Sequence, residues 1–391
     1  MLQPPQDMNS APSVDIHKRA DSLVAAFVRA GYARVSPAIL QPAEPFFDLS
    51  GEDMRRHIYL VTDTAGREFC LRPDLTIPVA RNYLASATAP QQASFCYLGP
   101  VFRDTGAACG EFLQAGIESF GRADTAAADA EVLALGIEAT AHYGLTTPRI
   151  VIGDVALFAA LITALDLAPA WKRRLLKDFN RKATLAQDLE RLMPASRQKR
   201  SEYLGVLAAI ANANPKAAQA LVRDLLSIAG KTAVGGRSIG EIADRFVEQA
   251  ELGASSALPA ETCALIARFL AVAGTPSDAA ATIRALAAQA RLSLGPALEV
   301  FESRIGAITR RGVDADRIQF ATAFGRGVDY YSGFVFELHD PTGRVDGQLV
   351  AGGRYDGLLS RLGSPQPVAA VGFAVWIERL AAFAANIKKE R

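Results

Sequence analysis

The segment "EFLQAGIESFG" carries its polar groups in an alternating pattern. On a strand, Phe112, Gln114, Gly116, Glu118 and Phe120 share one face, and Leu113, Ala115, Ile117 and Ser119 share the other. The second face is core. The first sets an amide and a carboxylate on either side of a glycine, which suits a polar pocket where a ligand approaches the sheet. An ordinary solvent-facing side has the same pattern. "LRPDLTIPVAR" holds Arg72, Asp74 and Thr76 at alternate positions, suited to a ligand amine or to a following helix. Taken alone, Asp and Thr before an apolar run favour helix capping. Arg103 ends "CYLGPVFR", where a strand-end arginine can clamp a phosphate or carboxylate or simply lie at the surface. "GRGVDYYSGFVFELHD" brings Arg326 between two glycines and a pair of tyrosines in a segment of strand character. On a strand, Tyr330 and Tyr331 point to opposite faces and cannot share one core layer.

Two further segments complete the set. "AGGRYDGLL" has a glycine pair before Arg354, Tyr355 and Asp356, permitting a tight turn or close backbone packing. "GFAVWIERL" puts Glu378 and Arg379 where a strand passes into a helix. No Ser/His/Asp elbow, H-E-x-x-H or phosphate-binding G-x-x-x-x-G-K-[ST] is present. The four cysteines lack C-x-x-C spacing and the four histidines lack neighbouring ligands, which argues against a zinc site or a disulfide framework.

The elements that position these residues fall into three blocks. Residues 1–12 are Pro- and Gln-rich and are expected to be disordered. Ser13 can cap a helix with Ile16, Ala20, Leu23, Val24, Phe27 and Val28 on one face, stopped by Gly31. Short strand-like runs follow from Tyr59 to about Phe120, then a helix over "TAAADAEVLALGIEATAHYG". Residues 165–295 are rich in Ala, Leu, Arg and Lys and poor in strand signals, so a helical insertion is expected there. Its early part holds Lys172, Arg173, Arg174, Lys177, Arg181, Lys182, Arg191, Arg197, Lys199 and Arg200, read as a solvated helix face. Strand character returns after residue 296. The expected architecture is therefore an α+β core over 13–164 and 296–391, mostly antiparallel, interrupted by a helical domain.

Composition agrees with a globular protein: half the 391 residues are apolar and the formal net charge is +1, without the basic excess of a dedicated nucleic-acid binder. The N-terminus has no signal-peptide pattern, and the most apolar run is interrupted by Asp154 and Asp166. A cytoplasmic protein is expected.

In order, "LRPDLT", "FRD…EFLQAGIESFG", "GRGVDYYSGFVFE" and "GGRYDGL…VGFAVWIERL" resemble the catalytic core of histidyl-tRNA synthetases, a class II aminoacyl-tRNA synthetase-like antiparallel sheet flanked by helices. The resemblance covers nearly all the chain outside the insertion. It implies a histidine pocket in which Arg326 meets the carboxylate and Tyr330 and Tyr331 line the walls. Glu118 would accept from the imidazole N–H, and Gln114, Thr76 and Asp74 would hold the α-amino end. Those types suit a zwitterion bearing an imidazole. Asp74 is one methylene shorter than the glutamate usual in the synthetases. Arg103 and Arg379 match the two phosphate-binding arginines, which leaves room for residual nucleotide binding. Three departures point away from tRNA charging. No anticodon-binding domain follows "GFAVWIERL", the loop "DTGAACGEF" is short and lacks a further arginine, and Thr105 replaces an adenine-placing glutamate. The pattern resembles the family of ATP phosphoribosyltransferase regulatory subunits. That resemblance implies a non-catalytic homodimer core in histidine biosynthesis, without a cofactor. Such a subunit assembles with a short-form catalytic subunit, is needed for its activity and takes part in feedback by histidine. The alternative is a truncated synthetase-like enzyme that activates an amino acid with ATP.

Overall fold

The computed structural model describes residues 14–49, 54–86, 89, 91–104, 106, 110–192 and 259–389, with isolated helical positions between 216 and 252. The expected disordered segment 1–12, Ser13, Thr105 and the basic positions Arg197, Lys199 and Arg200 lie outside the described residues. The chain forms two compact units, Met1–Phe158 with Leu270–Ala288 and Ser293–Arg391, and Ala159–Phe269 with Gln289–Leu292.

The first unit begins with α1 (Val14–Arg29), β1 (Ala33–Arg34), β2 (Leu40–Pro42), α2 (Glu44–Leu49), β3 (Leu60–Thr62) and β4 (Glu68–Leu71). It continues with α3 (Thr76–Leu84), β5 (Ala93–Phe102), β6 (Glu111–Phe120), α4 (Thr125–His142) and β7 (Arg149–Asp154), which leads into α5 (Val155–Ala164). The second unit is helical where described, through α6 (Pro169–Asp178), α7 (Lys182–Leu192) and α8 (Ala260–Leu270). The chain then adds β8 (Ala273–Gly274), α9 (Pro276–Gln289), α10 (Gly295–Arg310), β9 (Ile318–Ala321), β10 (Phe334–His339), β11 (Val350–Arg354), α11 (Leu358–Arg361), β12 (Ala370–Trp376) and α12 (Ile377–Lys389).

Nine strands make one mixed sheet in the order β1-β5-β6-β12-β11-β10-β7-β9-β8, and β2-β4-β3 make a small antiparallel one. Pairing is antiparallel in the large sheet except at β1–β5 and β7–β9. The two-residue β8, which pairs with β9, falls in a segment whose Ala–Gly sequence carries no strand signal. Among the described residues, no helix is long and apolar enough to cross a membrane.

Alternation divides the large sheet cleanly. Phe336, Gly352, Phe373 and Ile117 form one cross-strand row, on the face where Phe27 of α1 and Gly136 of α4 pack. Most of the apolar stripe expected for α1 is buried, but Val28 falls outside it at 46% exposed. Gly31 ends the helix with φ +97°, a left-handed cap that suits glycine. Of the basic residues in the second unit, Arg174 and Arg181 pair with buried Asp178 at 2.6 and 3.2 Å, and Lys172 donates to the Thr163 carbonyl. Arg173 and Lys177 are exposed, as a solvated face requires.

The helix-covered face also buries ions. Arg304 of α10 pairs with Asp129 of α4 at 2.6 Å and with Asp154 at the end of β7. Arg354 at the end of β11 reaches the other oxygen of Asp129 at 2.6 Å, and Asp356 at 2.9 Å. Asp129 is fully buried between two guanidiniums and thereby ties α4 and α10 to the sheet. Removing its charge leaves Arg304 with Asp154 alone and Arg354 with Asp356 alone, and breaking a buried pair costs about 3–5 kcal/mol. Asp129→Ala should lower stability by that order in urea unfolding. Arg34→Ala, which breaks an exposed pair with Asp21, should change it by less than about 1 kcal/mol.

Candidate ligand pocket on the second face of the sheet

The opposite face of the sheet carries the residues singled out by the sequence, in three cross-strand rows. Glu118 lies opposite Gly372, which lies opposite Gly353 and then Val335. Gly116 lies opposite Ala374, then Ala351 and Glu337. Gln114 lies opposite Trp376 on one side and Gly99 on the other. Residues directly opposite share a face, so a floor of glycine and alanine runs between the functional side chains. The floor must be small: a Cβ at Gly372 would overlap the Glu118 carboxylate, and one at Gly116 would meet the Tyr97 hydroxyl and the Phe373 carbonyl.

Glu118 is 1% exposed and has no cationic partner. Its Oε1 accepts from Thr76 Oγ1 at 2.7 Å and from the Tyr97 hydroxyl at 3.2 Å, and its Oε2 accepts from the Tyr355 hydroxyl. Burial pushes its pKa up to about 8, against the pull of these three hydroxyls. Asp74 is also buried and shifted upward by burial, with Arg103 pulling the other way. Its Oδ1 accepts from the Ile77 backbone N–H at 3.2 Å, so Asp74 does cap the first turn of α3 while its carboxylate stands among the pocket groups.

Tyr330 and Tyr331 are both buried, with ring centroids 4.9 Å apart, and both pack on Tyr355 at 5.6 and 6.2 Å. The strand expected here begins only at Phe334, and residues 322–333 are a loop. Freed from strand alternation, the two tyrosines turn to the same cluster. Arg326 donates to the Tyr331 hydroxyl at 2.5 Å and lies 3.5 Å from Glu337, whose second oxygen meets His339 at 3.1 Å. Burial works against the Arg326 charge, yet Tyr331 and Glu337 hold its pKa above the ordinary value.

Arg103 donates to the Pro73 carbonyl at 2.8 Å and lies over Phe112, and its charge is felt together with those of Arg326 and Arg379. Arg379 donates to the Gln348 carbonyl at 2.8 Å and lies over Trp376. Burial lowers both arginine pKa values. Arg72, by contrast, binds the Pro37 and Pro100 carbonyls at 2.5 and 2.8 Å and holds chain segments together beneath Gly99. Glu378 accepts from the Leu113 backbone N–H at 2.6 Å and fixes the start of α12 against β6.

Sequence reasoning gave no role to Tyr97, Tyr355, Glu337 or Trp376. The clue for Tyr97 was its period-two placement in β5, legible only once register sets it opposite Gly116. Among the described residues Gln114 Oε1 is buried with no hydrogen-bond partner, and Arg326 Nε has only the long 3.5 Å ion pair with Glu337. Unpaired buried groups are uncommon in native proteins. Here one is an acceptor and the other a cationic donor. The chemistry on offer is recognition of a small molecule with an anionic end, a donor end and a hydrogen-bonding ring. Among the described residues, no group of three or more His, Cys, Asp or Glu side chains is placed to hold a metal ion.

Comparison with known proteins gives the same family. The histidyl-tRNA synthetase family model matches residues 6–234 and 217–380. The ATP phosphoribosyltransferase regulatory subunit of Brucella canis is 40% identical over 349 residues, 88% of this chain and 92% of that protein, and the one from Brucella ovis is equally similar. An ATP phosphoribosyltransferase regulatory subunit/histidyl-tRNA synthetase from Bacillus halodurans superposes with a TM-score of 0.66 at 22% identity, over 97% of this chain and 82% of that one. The histidyl-tRNA synthetase of Nostoc gives 0.63 at 16% identity, over 99% and 76%. These two structures share the class II synthetase-like fold described above. With its sheet, its motifs and its relatives in agreement, the chain belongs to the histidyl-tRNA synthetase-like family of ATP phosphoribosyltransferase regulatory subunits.

Proposed function

We propose that this chain is a non-catalytic subunit that assembles with a short-form ATP phosphoribosyltransferase catalytic subunit, supports its activity, and binds free histidine as the feedback signal of the first step in histidine biosynthesis. The observation that carries the ligand is the buried, unpartnered Gln114 Oε1 together with the buried Arg326 guanidinium, whose Nε has only a 3.5 Å ion pair with Glu337, beside a tyrosine cluster and a buried carboxyl. Arg326 takes the ligand carboxylate. Gln114, Thr76 and Asp74 take the ammonium. Tyr330 and Tyr331 enclose the ring, and Glu118 accepts from the imidazole N–H. A carboxylate has about four acceptor sites and three protein hydroxyls use three of them, so one is left for the ligand. Residues 165–295 form an insertion in this reading, with Leu270–Ala288 grouped with the first unit, and the chain acts in the cytoplasm.

The subunit also forms a homodimer in this proposal. Ile39, Leu40, Leu60 and Val61 on and beside the small sheet are 41–50% exposed, an apolar set that supports burial against a second copy. A synthetase-like enzyme using Arg103 and Arg379 to hold ATP is the second reading. It has less support, because each of these arginines is already tied to a backbone carbonyl.

The first two outcomes concern activity with its ligand and the quaternary state. Titrating the chain into a short-form catalytic subunit should give saturable phosphoribosyl-ATP formation that histidine reverses. Arg326→Ala should keep the activation while weakening histidine by about tenfold to a hundredfold, the range for losing a charged hydrogen bond. Amino-acid-dependent pyrophosphate exchange without activation would instead favour the enzyme. Sedimentation at micromolar concentration should report a dimer, and a monomer would contradict that part of the proposal.

The third outcome concerns pH. The folded-state pKa of Glu118 is raised above its unfolded value, so the folded state binds more protons between about 4.5 and about 8. Its stabilising contribution is then complete below the lower value and is lost as pH rises through the upper one. Urea unfolding should show stability falling over this window, and Glu118→Gln should flatten that fall.

A further inference from the structure

Trp376 stands out in the floor of the pocket. The positions of β6, β12 and β11 that face the ligand are Glu118, Gly116 and Gln114, then Gly372, Ala374 and Trp376, then Gly353 and Ala351. Between Phe112 and Phe120, which end this face of β6, every one apart from the two polar groups is glycine or alanine except Trp376. Its indole is 6% exposed. It sits directly opposite Gln114, four residues along β6 from Glu118, or about 13 Å at strand rise. The guanidinium of Arg326 lies over two rings, Tyr331 at 5.3 Å and Trp376 at 6.0 Å. The guanidinium of Arg379 lies over the same indole at 5.5 Å. The group assigned to the ligand carboxylate is therefore flanked by the indole, and the same indole stands beside the phosphate-binding candidate Arg379.

We propose that Trp376 is a specificity residue that walls off the carboxylate end of the pocket, so that the site accepts a free amino acid and rejects one extended at its carboxylate. This inference rests on the histidine-pocket reading above. Three features support it. The rest of the floor is stripped to glycine and alanine to make room, so a large ring at one end is a boundary rather than filler. Two cationic faces hold the ring in place through cation–π contacts, each of which adds to its burial. An acyl-linked nucleotide leaving the carboxylate toward Arg379 would have to cross the space the indole fills. A pocket closed this way reports the free amino acid and is blind to its activated form, as a feedback site requires.

The chain has two tryptophans, Trp171 and Trp376, so Trp171→Phe leaves Trp376 as the only indole reporter. Two probes are compared by calorimetry: free histidine, and a non-hydrolysable histidyl-adenylate analogue in which an acyl-sulfamate keeps a negative charge beside Arg326. Each is titrated into the full chain and into Trp376→Leu and Trp376→Ala, with thermal melts to identify any variant that fails to fold. The wild-type chain is expected to bind histidine, with a change in Trp376 emission in the Trp171→Phe background, and to bind the analogue at least tenfold more weakly. A folded Trp376 variant should gain at least tenfold for the analogue while histidine affinity changes by less than about threefold. Wild-type binding of the analogue as tight as that of histidine overturns the proposal, whatever the variants do. So does a folded variant that keeps histidine and still rejects the analogue, or histidine binding that leaves Trp376 emission unchanged. A wild-type chain that binds no histidine at all overturns the pocket reading itself, an outcome distinct from the others.

Discussion

A carboxyl group buried in the middle of a sheet must be given hydrogen bonds or surrender its charge, and Glu118 sets that condition for the pocket face of the sheet. Its partners come from three places far apart in sequence: Thr76 at the start of α3, Tyr97 in β5 and Tyr355 just after β11. Each must arrive at the same point. Gly372 must carry no side chain for the carboxylate to lie where it does, and Gly116 must carry none for Tyr97 to reach it. The register of four strands and the position of one helix are thus tied to the satisfaction of one residue. Burial favours its neutral form while the three hydroxyls favour the charged one, and no cation appears among the groups that shift it.

The covered face of the same sheet solves a different problem. There Asp129 and Asp154 meet Arg304 and Arg354 out of water, with distances short enough for charge-assisted hydrogen bonds. Such a cluster need not add much stability over an apolar core, but it accepts few alternative arrangements. It locks α4 and α10 onto the ends of β7 and β11. The loop carrying Arg326, Tyr330 and Tyr331 lies between β9 and β10, and β10 pairs with both β7 and β11. The rigid side of the sheet thereby fixes the frame from which the recognition loop hangs.

Recognition itself divides along the pocket. The tyrosine cluster and Glu118 define one end, Arg326 supplies a cationic donor and Gln114 an unpartnered acceptor, and Trp376 bounds the other end. Arginines placed as in a nucleotide site are present, but Arg103 and Arg379 are engaged by carbonyls and rings. In the proposed reading, a fold shared with synthetases serves to bind a free amino acid.

Much of this was legible without coordinates. Alternation in "EFLQAGIESFG" identified which face of β6 is polar, because the side-chain period of a strand is set by the backbone and needs no partner. The ordered motifs carried the family and the candidate residues Asp74, Thr76, Gln114, Glu118, Arg326, Tyr330 and Tyr331. The α1 helix followed from periodicity. Local rules failed where long-range contacts decide. Tyr330 and Tyr331 share one cluster because their segment is a loop, which no dipeptide pattern announces. Arg72 looked like a neighbour of Asp74 in function and proved to bind backbone carbonyls of Pro37 and Pro100. The sequence by itself determined which residue types face which side of each strand, since that depends on bonds between neighbours. The tertiary structure alone decided that Tyr97, Tyr355 and Trp376 join Glu118 and Arg326 in one pocket, and that Arg304 finds Asp129 175 residues away, since both depend on strand order and cross-strand register.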